Sequence, residues 1–354
     1  MVDVLSRTAA RAPGRLLALA LAACAIAALS AAPAQASSHW RWSRPTTIRG
    51  LDAAVNGLSC PSSSLCLAVS ATDVFWSTRP LAGGSSWKKA ALPPALDLEA
   101  LQGQSYVADG VTCTSTSFCV ISDGAGNVYV STDPTGGTGA WHETAVDFQT
   151  YEGLEAITCA TQTLCAALDI SGDAYTTGNP AGPWSYTRIS STLQANSYSV
   201  SCAASGTGLC AAVEFDRKLA VTANPGATPA TWQVATVSSS TLHSVACPSI
   251  SLCVAGADGG RLLVSRSPTV PASWRATRIP GAYPYTEVTC HSTSLCLATD
   301  EFGFAAISTA PAASASAWHR QGRISTGSIT ALSCPSNRLC FVGTSTDEEI
   351  IGRG

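Results

Sequence analysis

The residues of this 354-residue chain that could carry chemistry are acidic and aromatic rather than nucleophilic. The chain contains seven close pairs of cysteines. Counting four residues back from the first cysteine of each pair gives Asn56, Asp109, Glu155, Tyr198, His243, Thr286 and Thr330, all polar. Counting two back gives Leu58, Val111, Ile157, Val200, Val245, Val288 and Leu332, all apolar. Alternation with period two is that of a strand with one wet and one buried face, so the polar set forms a ring if the seven strands converge. Asp109 and Glu155 stand on successive units, and paired carboxylates hydrolyse glycosidic bonds at separations of about 5–10 Å. His243 is a candidate base, but no nucleophile motif accompanies it. Between the units lie further acids (Asp97, Glu99, Asp147, Glu152, Glu287) and aromatics (Tyr106, Phe148, Tyr151, Tyr283, Tyr285). Aromatic planes beside carboxylates suit a sugar ring, and they suit a protein partner equally well. The predicted ligand-binding set is therefore Asn56, Asp109, Tyr151, Glu155, Tyr198, His243, Tyr285, Thr286 and Thr330. Asp123, Asp169, Asp258 and Asp300 each open an Asp/Gly hairpin turn, which is structural chemistry.

The elements that position these residues follow from the cysteine spacing. The pairs are Cys60/Cys66, Cys113/Cys119, Cys159/Cys165, Cys202/Cys210, Cys247/Cys253, Cys290/Cys296 and Cys334/Cys340, and their first members recur every 43 to 53 residues. A repeat of about 40–50 residues is the mark of a propeller or solenoid. Within one unit, Val111 to Cys113 ends a strand, Cys119 begins the next, Asp123 to Gly126 turns the chain, and a β-rich run continues through Val130. A fourth strand starts at Trp141, and no helical periodicity intervenes. Seven Trp strands, starting at Trp42, Trp87, Trp141, Trp184, Trp232, Trp274 and Trp318, each carry an apolar residue five or six positions on. The first precedes Cys60 and the last unit stops after three strands, so the N-terminal strand completes the C-terminal unit. These features predict an all-β, seven-bladed β-propeller of four-stranded antiparallel blades, closed by that strand and holding one disulfide per blade. Each staple joins the two inner strands of a blade across their connecting turn and is worth about 2 kcal/mol by loop-closure entropy. With no Cys-x-x-Cys and no His at ligand spacing, no metal and no cofactor is expected.

Residues 1–36 read as a signal peptide, with Arg7, Arg11 and Arg15, an apolar run from Leu16 to Ala32, and Ala34-Gln35-Ala36 as cleavage site. Two alternatives stay open: an uncleaved anchor, and a lipid on Cys24. Residues 37–354 form the propeller, secreted or extracellular, without a membrane span after cleavage. Losing Cys24 leaves an even number of cysteines for an oxidising compartment. A net charge of −3 with dispersed basic residues excludes a nucleic-acid partner. The expected partner is a glycan or an extracellular protein, and the expected state is a monomer.

Ser131-Thr132-Asp133-Pro134 leading to Trp141, with Ser77-Thr78-Arg79-Pro80 to Trp87 and Ser308-Thr309-Ala310-Pro311 to Trp318, resembles the repeat of the sialidase-like, BNR or Asp-box propellers. The resemblance implies a bacterial secreted propeller in which this motif forms the turn before the fourth strand. It transfers no catalytic residue, because the arginines cluster on the Trp strands instead of converging on the centre. Three readings follow: a binding module, a glycoside hydrolase of sialidase-like type using carboxylates such as Asp109 and Glu155, and a structural extracellular scaffold.

Overall fold

The structure is a computed structural model that describes residues 40–94, 107–147, 153–189, 198–214 and 216–354. The predicted signal segment with Cys24, and the interblade residues Asp97, Glu99, Tyr106, Phe148, Tyr151 and Glu152, lie outside the described residues. Seven antiparallel sheets are present, and the inner strand of each contacts those of its two neighbours, so the ring closes. The inner strands are Gly57–Ser62, Ala108–Ser115, Leu154–Thr161, Tyr198–Ala203, Leu242–Ser249, Tyr285–Ser292 and Ile329–Ser336, which define blades 1 to 7. As the sequence predicts, the N-terminal strand Arg41–Trp42 pairs with the C-terminal strand Glu348–Arg353, setting Arg41 opposite Arg353 and Trp42 opposite Gly352. No open sheet edge is left between the two ends of the chain.

All seven predicted disulfides form: Cys60–Cys66, Cys113–Cys119, Cys159–Cys165, Cys202–Cys210, Cys247–Cys253, Cys290–Cys296 and Cys334–Cys340. In blades 2, 3, 4 and 6 the bonded cysteines are directly opposed in the ladder, as with Cys113 and Cys119, whose Cα atoms are 4.1 Å apart. In blades 1, 5 and 7 the pair spans a register shift between the same two strands. The structure shows these pairs as the clips across turns that the spacing predicts, and it adds their depth. The second member of every pair, Cys66, Cys119, Cys165, Cys210, Cys253, Cys296 and Cys340, is fully buried. These cysteines are core residues and not surface or ligand contacts, because the second strand of each blade is covered on both faces by its neighbours. Six of them, Cys66, Cys119, Cys210, Cys253, Cys296 and Cys340, sit within the apolar clusters between blades.

Those clusters are the glue of the ring, one for each of the seven blade–blade interfaces. The seven repeat tryptophans contribute to them, each packing back on the preceding blade. Trp87 packs on Phe341 and Ile351 of blade 7, and Trp318 belongs with Leu252 and Val254 of blade 5. Blades converge towards the axis, so little volume remains there. A Cβ on Gly256 would meet the Tyr285 carbonyl oxygen at 2.5 Å, and Ala166, Ala211 and Ala298 are fully buried.

Two polar devices end the strands. At the close of each second strand in blades 2, 3 and 6 a buried aspartate holds the hairpin. Asp169 Oδ1 accepts the Ser171 and Asp173 amides at 2.9 and 2.8 Å, and its Oδ2 accepts the Tyr175 hydroxyl at 3.2 Å. Asp123 and Asp300 repeat the pattern on Ala125 and Asn127, and on Phe302 and Phe304. Turn chemistry therefore accounts for these three. At the opposite end, a buried hydroxyl closes each third strand of blades 1 to 6 and accepts the amide two residues on, as Ser131 does from Asp133 at 3.1 Å and Ser77 from Arg79 at 3.2 Å. That hydroxyl, rather than the aspartate of Ser131-Thr132-Asp133, is what the repeats share.

Asp169→Ala removes the acceptor of two buried amides and a phenol, and is expected to lower the unfolding free energy by about 2 kcal/mol. Asp169→Asn keeps Oδ1 in place and should lose less than half of that, measured by denaturant titration of the disulfide-intact chain.

Candidate functional site

The seven inner strands enclose a central channel of about 670 Å³. Its polar fittings arise from a repeated irregularity. In five blades the ladder between inner and second strand slips by one residue, at Asp109, Glu155, His243, Thr286 and Thr330, the positions four before each first cysteine. A β-bulge leaves one residue outside the ladder and re-aims its side chain, so bulges are natural places for polar groups.

The residues at this level do different work. Asp109 and Glu155 line the channel, together with Asn56 and Thr330. Asn56 and Thr330 also tie blades together: Asn56 Nδ2 donates to the Ala108 carbonyl at 3.1 Å, and Thr330 Oγ1 donates to the Val55 carbonyl at 2.6 Å. His243 is not among the lining residues; its Nε2 lies 2.8 Å from Asp258 Oδ1, across the hairpin of its own blade. Thr286 is likewise absent from the lining, and its hydroxyl is buried without a partner; the next residue, Glu287, takes its place at the channel. Tyr285 needs correction as a surface contact. It is 1% exposed and packs in the apolar core between blades 5 and 6, because it is the ladder partner of Asp300 and points to the blade's buried side. Tyr151 and the Tyr198 side chain lie outside the described residues. The cysteines divide by strand: Cys113, Cys159, Cys202, Cys247 and Cys290 border the channel, whereas their partners Cys119, Cys165, Cys210, Cys253 and Cys296 lie behind it in the core, as does Cys66 in blade 1.

The channel is acidic, with one histidine in its lining, His291, whose Nδ1 lies 2.9 Å from the Cys334 carbonyl. Asp109, Glu155 and Glu287 line it, no Lys or Arg among the described residues does, and none of the three carboxylates hydrogen-bonds or ion-pairs with a described residue. Burial pushes the Asp109 carboxyl up to about 7, with the Glu155 and Asp123 charges adding to the effect. Burial alone pushes Glu287 up to about 8, and raises Glu155 as well. Carboxyls held where the charged form is disfavoured suit either the binding of a cation or an acid–base role. Among the described residues no group of His, Cys, Asp and Glu is arranged to hold a metal ion.

A second channel feature was visible in the sequence and is structural. The residue before the first cysteine is Ser or Thr in six of the seven repeats (Ser59, Thr112, Thr158, Ser201, Thr289, Ser333). In four cases its hydroxyl accepts the amide of the next blade's cysteine: Ser59 from Cys113, Thr112 from Cys159, Ser201 from Cys247 and Ser333 from Cys60, at 2.8 to 3.2 Å.

No protein-family model matches the chain, and no curated protein matches it in sequence. Among solved structures it is similar to YCF48 bound to D1 peptide, with 14% identity, a TM-score of 0.66, and coverage of 89% of this chain and 97% of that one. It is similar to YCF48 from Cyanidioschyzon merolae, with 13% identity, a TM-score of 0.64, and coverage of 89% and 98%. The WD40 β-propeller domain of Doa1 matches at 11% identity and a TM-score of 0.64, covering 88% of this chain and 96% of that one.

The raised carboxyls have a consequence for stability. Between the ordinary carboxylate range near 4 and the raised values of about 7 and 8, the unfolded chain has released protons that the fold retains, so stability falls as pH rises through that window. Asp109→Asn with Glu287→Gln is expected to raise the thermal midpoint by about 2 °C at pH 8 and to leave it unchanged at pH 4, measured by calorimetry. At identities of 11% to 15% the likeness to these solved structures establishes one thing about the chain, that its fold is the β-propeller.

Proposed function

We propose that the chain is a secreted binding module whose acidic channel mouth receives a positively charged segment of a protein partner. The observation that carries this is the trio Asp109, Glu155 and Glu287, which faces one channel whose described lining holds no Lys or Arg and one histidine, His291, engaged with the Cys334 carbonyl. A lysine or arginine entering there supplies the missing counter-charge, and desolvated carboxylates attract a cation more strongly than exposed ones do. The solved complex of a propeller, YCF48, with D1 peptide supports a peptide as occupant of this fold. The scaffold reading assigns no purpose to three carboxyls, Asp109 and Glu287 half-buried and Glu155 exposed, that line one channel without a partner among the described residues.

The compartment reading is that residues 1–36 direct export and the propeller works outside the cell. Seven disulfides support it, since such bonds persist in oxidising surroundings. Among the described residues no helix is long and apolar enough to cross a membrane. The hydroxyl turn repeated in blades 1 to 6 supports the likeness to sialidase-like repeats, and no arginine among the described residues lines the channel where a sialidase's substrate carboxylate would sit.

A second reading rests on Asp109, whose carboxyl is pushed up to about 7 beside Glu155, an arrangement that suits a general acid in glycoside hydrolysis. Under it, Glu155→Gln abolishes turnover of a susceptible glycan while leaving the thermal midpoint unchanged. A folded variant with full turnover removes Glu155 from any mechanism.

The peptide reading is tested with the chain from Ser37, disulfides formed, titrated with fluorescent Lys/Arg-rich peptides and with Glu-rich controls. Selective binding of the basic set is expected, weakened at least tenfold in a triple variant, Asp109→Asn with Glu155→Gln and Glu287→Gln. Affinity should also rise as pH increases from 6 to 8, because binding favours the ionised carboxylates. Absence of any charge selectivity defeats the proposal, and a glycan-array hit lost in the same variant would transfer the site to sugars.

A further inference from the structure

An exposed aromatic cluster lies on blade 6, away from the channel lining, and stands independently of the channel reading. Tyr283 and Phe302 are 47% and 44% exposed, and their ring centroids are 4.4 Å apart. Phe304 lies behind them, 6.3 Å from Tyr283, and the Arg320 guanidinium covers the Phe304 ring at 4.2 Å. Most exposed large apolar side chains in this protein are scattered aliphatics, which call for no explanation. Two exposed rings in contact, backed by a third ring and an arginine, do call for one.

The surface is also held rigid. Phe302 sits in the hairpin that Asp300 organises, its amide donating to Asp300 Oδ1 at 3.0 Å. Arg323 Nε donates to the Phe302 and Ser325 carbonyls at 2.9 Å, and Nη2 donates to that of Thr326 at 3.0 Å, which pins this hairpin to the outer strand. Gly303, at φ +81°, packs so closely that a Cβ would lie 2.2 Å from the Ser325 carbonyl oxygen. Tyr283 is flanked by Pro284 and by Gly281 at φ +73°. Rings fixed before a ligand arrives bind with little loss of freedom.

The chemistry of the occupant follows from the shape and the charge. The rings line neither the central channel nor the apolar groove between blades 1 and 2, and each leaves nearly half of its surface to solvent. An open aromatic plane suits the flat C–H face of a pyranose. Arg320 is exposed and makes no hydrogen bond or ion pair with a described residue, so its N–H groups are free for a carboxylate. The outer strands of blades 5 and 6 add Arg278 and Arg323, against two acids on the same hairpin, Glu301 and the buried Asp300, whose Oδ1 is taken up by the Phe302 and Phe304 amides. We propose that Tyr283, Phe302 and Arg320 form a binding site for an acidic sugar, a uronate residue of a polysaccharide. The two rings are inclined by 53° to each other, so the pyranose stacks on one and meets the edge of the other, and its carboxylate pairs with Arg320.

The test uses calorimetric titration of the disulfide-intact chain with oligomers of galacturonate, of alginate and of hyaluronan, each beside its carboxyl-reduced, neutral form. At least one acidic oligomer should bind, at least tenfold more tightly than its reduced form. Tyr283→Ala and Arg320→Gln should each weaken it at least tenfold, and in Arg320→Gln the acidic and reduced forms should become alike. Tyr186→Ala, an equally exposed tyrosine on blade 3, should change nothing, and thermal midpoints establish that each variant is folded. The site is overturned if no acidic oligomer binds, if acidic and reduced forms bind alike to the unmodified chain, or if binding survives both substitutions in folded protein.

Discussion

Everything in this protein depends on how seven inner strands are kept side by side around an axis. They are edges of separate sheets, so no ladder joins one blade to the next, and each would present unpaired amides to the channel. Two interactions resolve this. Hydroxyls at Ser59, Thr112, Ser201 and Ser333 accept the cysteine amide of the following blade, and apolar wedges built around the repeat tryptophans fill the widening space outside. The same cysteine whose amide is captured is bonded through its sulfur to the second strand of its own blade, where the partner cysteine is buried. Adjacent blades are thereby held by polar contacts at the axis, staples at small radius and apolar packing at large radius.

That division explains where polar residues are allowed. Close to the axis there is room for Ala and Gly on the buried faces, and a charged side chain can only point into the channel or leave the ladder. The bulges provide the second route. Thr330, at its bulge, and Asn56, at the corresponding position of blade 1, bond the neighbouring blade, which offsets their burial. Asp109 and Glu287 gain no such bond and are held well above the usual carboxylate range by burial. The fold bonds Asn56 and Thr330 to the neighbouring blade at this radius and leaves the three carboxyls to the channel, Glu155 exposed and Asp109 and Glu287 half-buried.

Most of the architecture was legible because its signals are local and repeated. Cysteine pairs, tryptophans and Asp/Gly turns recur at one period, and ring closure followed from a lone Trp strand before Cys60 and a missing strand after Cys340. Spacing gave the pairing of the cysteines but not their depth, since the burial of Cys66, Cys165, Cys210, Cys253 and Cys296 comes from the blades on either side. The site was less legible for a related physical reason. Counting back in twos assumes an unbroken ladder, and the bulge breaks it at the residues of interest. In blade 6 it moves the channel position from Thr286 to Glu287 and leaves Tyr285 in the core. His243 was misplaced because a side chain released by a bulge can fold back on its own hairpin, and Asp258 offered it a partner. The Ser or Thr before each first cysteine was visible, but one residue of sequence does not reveal that its partner lies a whole repeat away.

The placement of the acidic channel and of the exposed rings on blade 6 follows from the same constraint. Closure at the axis is secured by groups that face the neighbouring blade, so the hairpins and interblade segments on one face carry none of that load. There the fold tolerates exposed rings, as at Tyr283 and Phe302, provided something local stiffens them, and Asp300 and Arg323 do so by binding backbone alone. The charges divide accordingly. Carboxylates gather at the channel, where the bulges release them, and arginines gather on the outer strands of blades 5 and 6, where long side chains can lie along the sheet and keep their heads in water. A single small-radius ring thus supports an acidic mouth at its centre and a basic, aromatic rim at its edge.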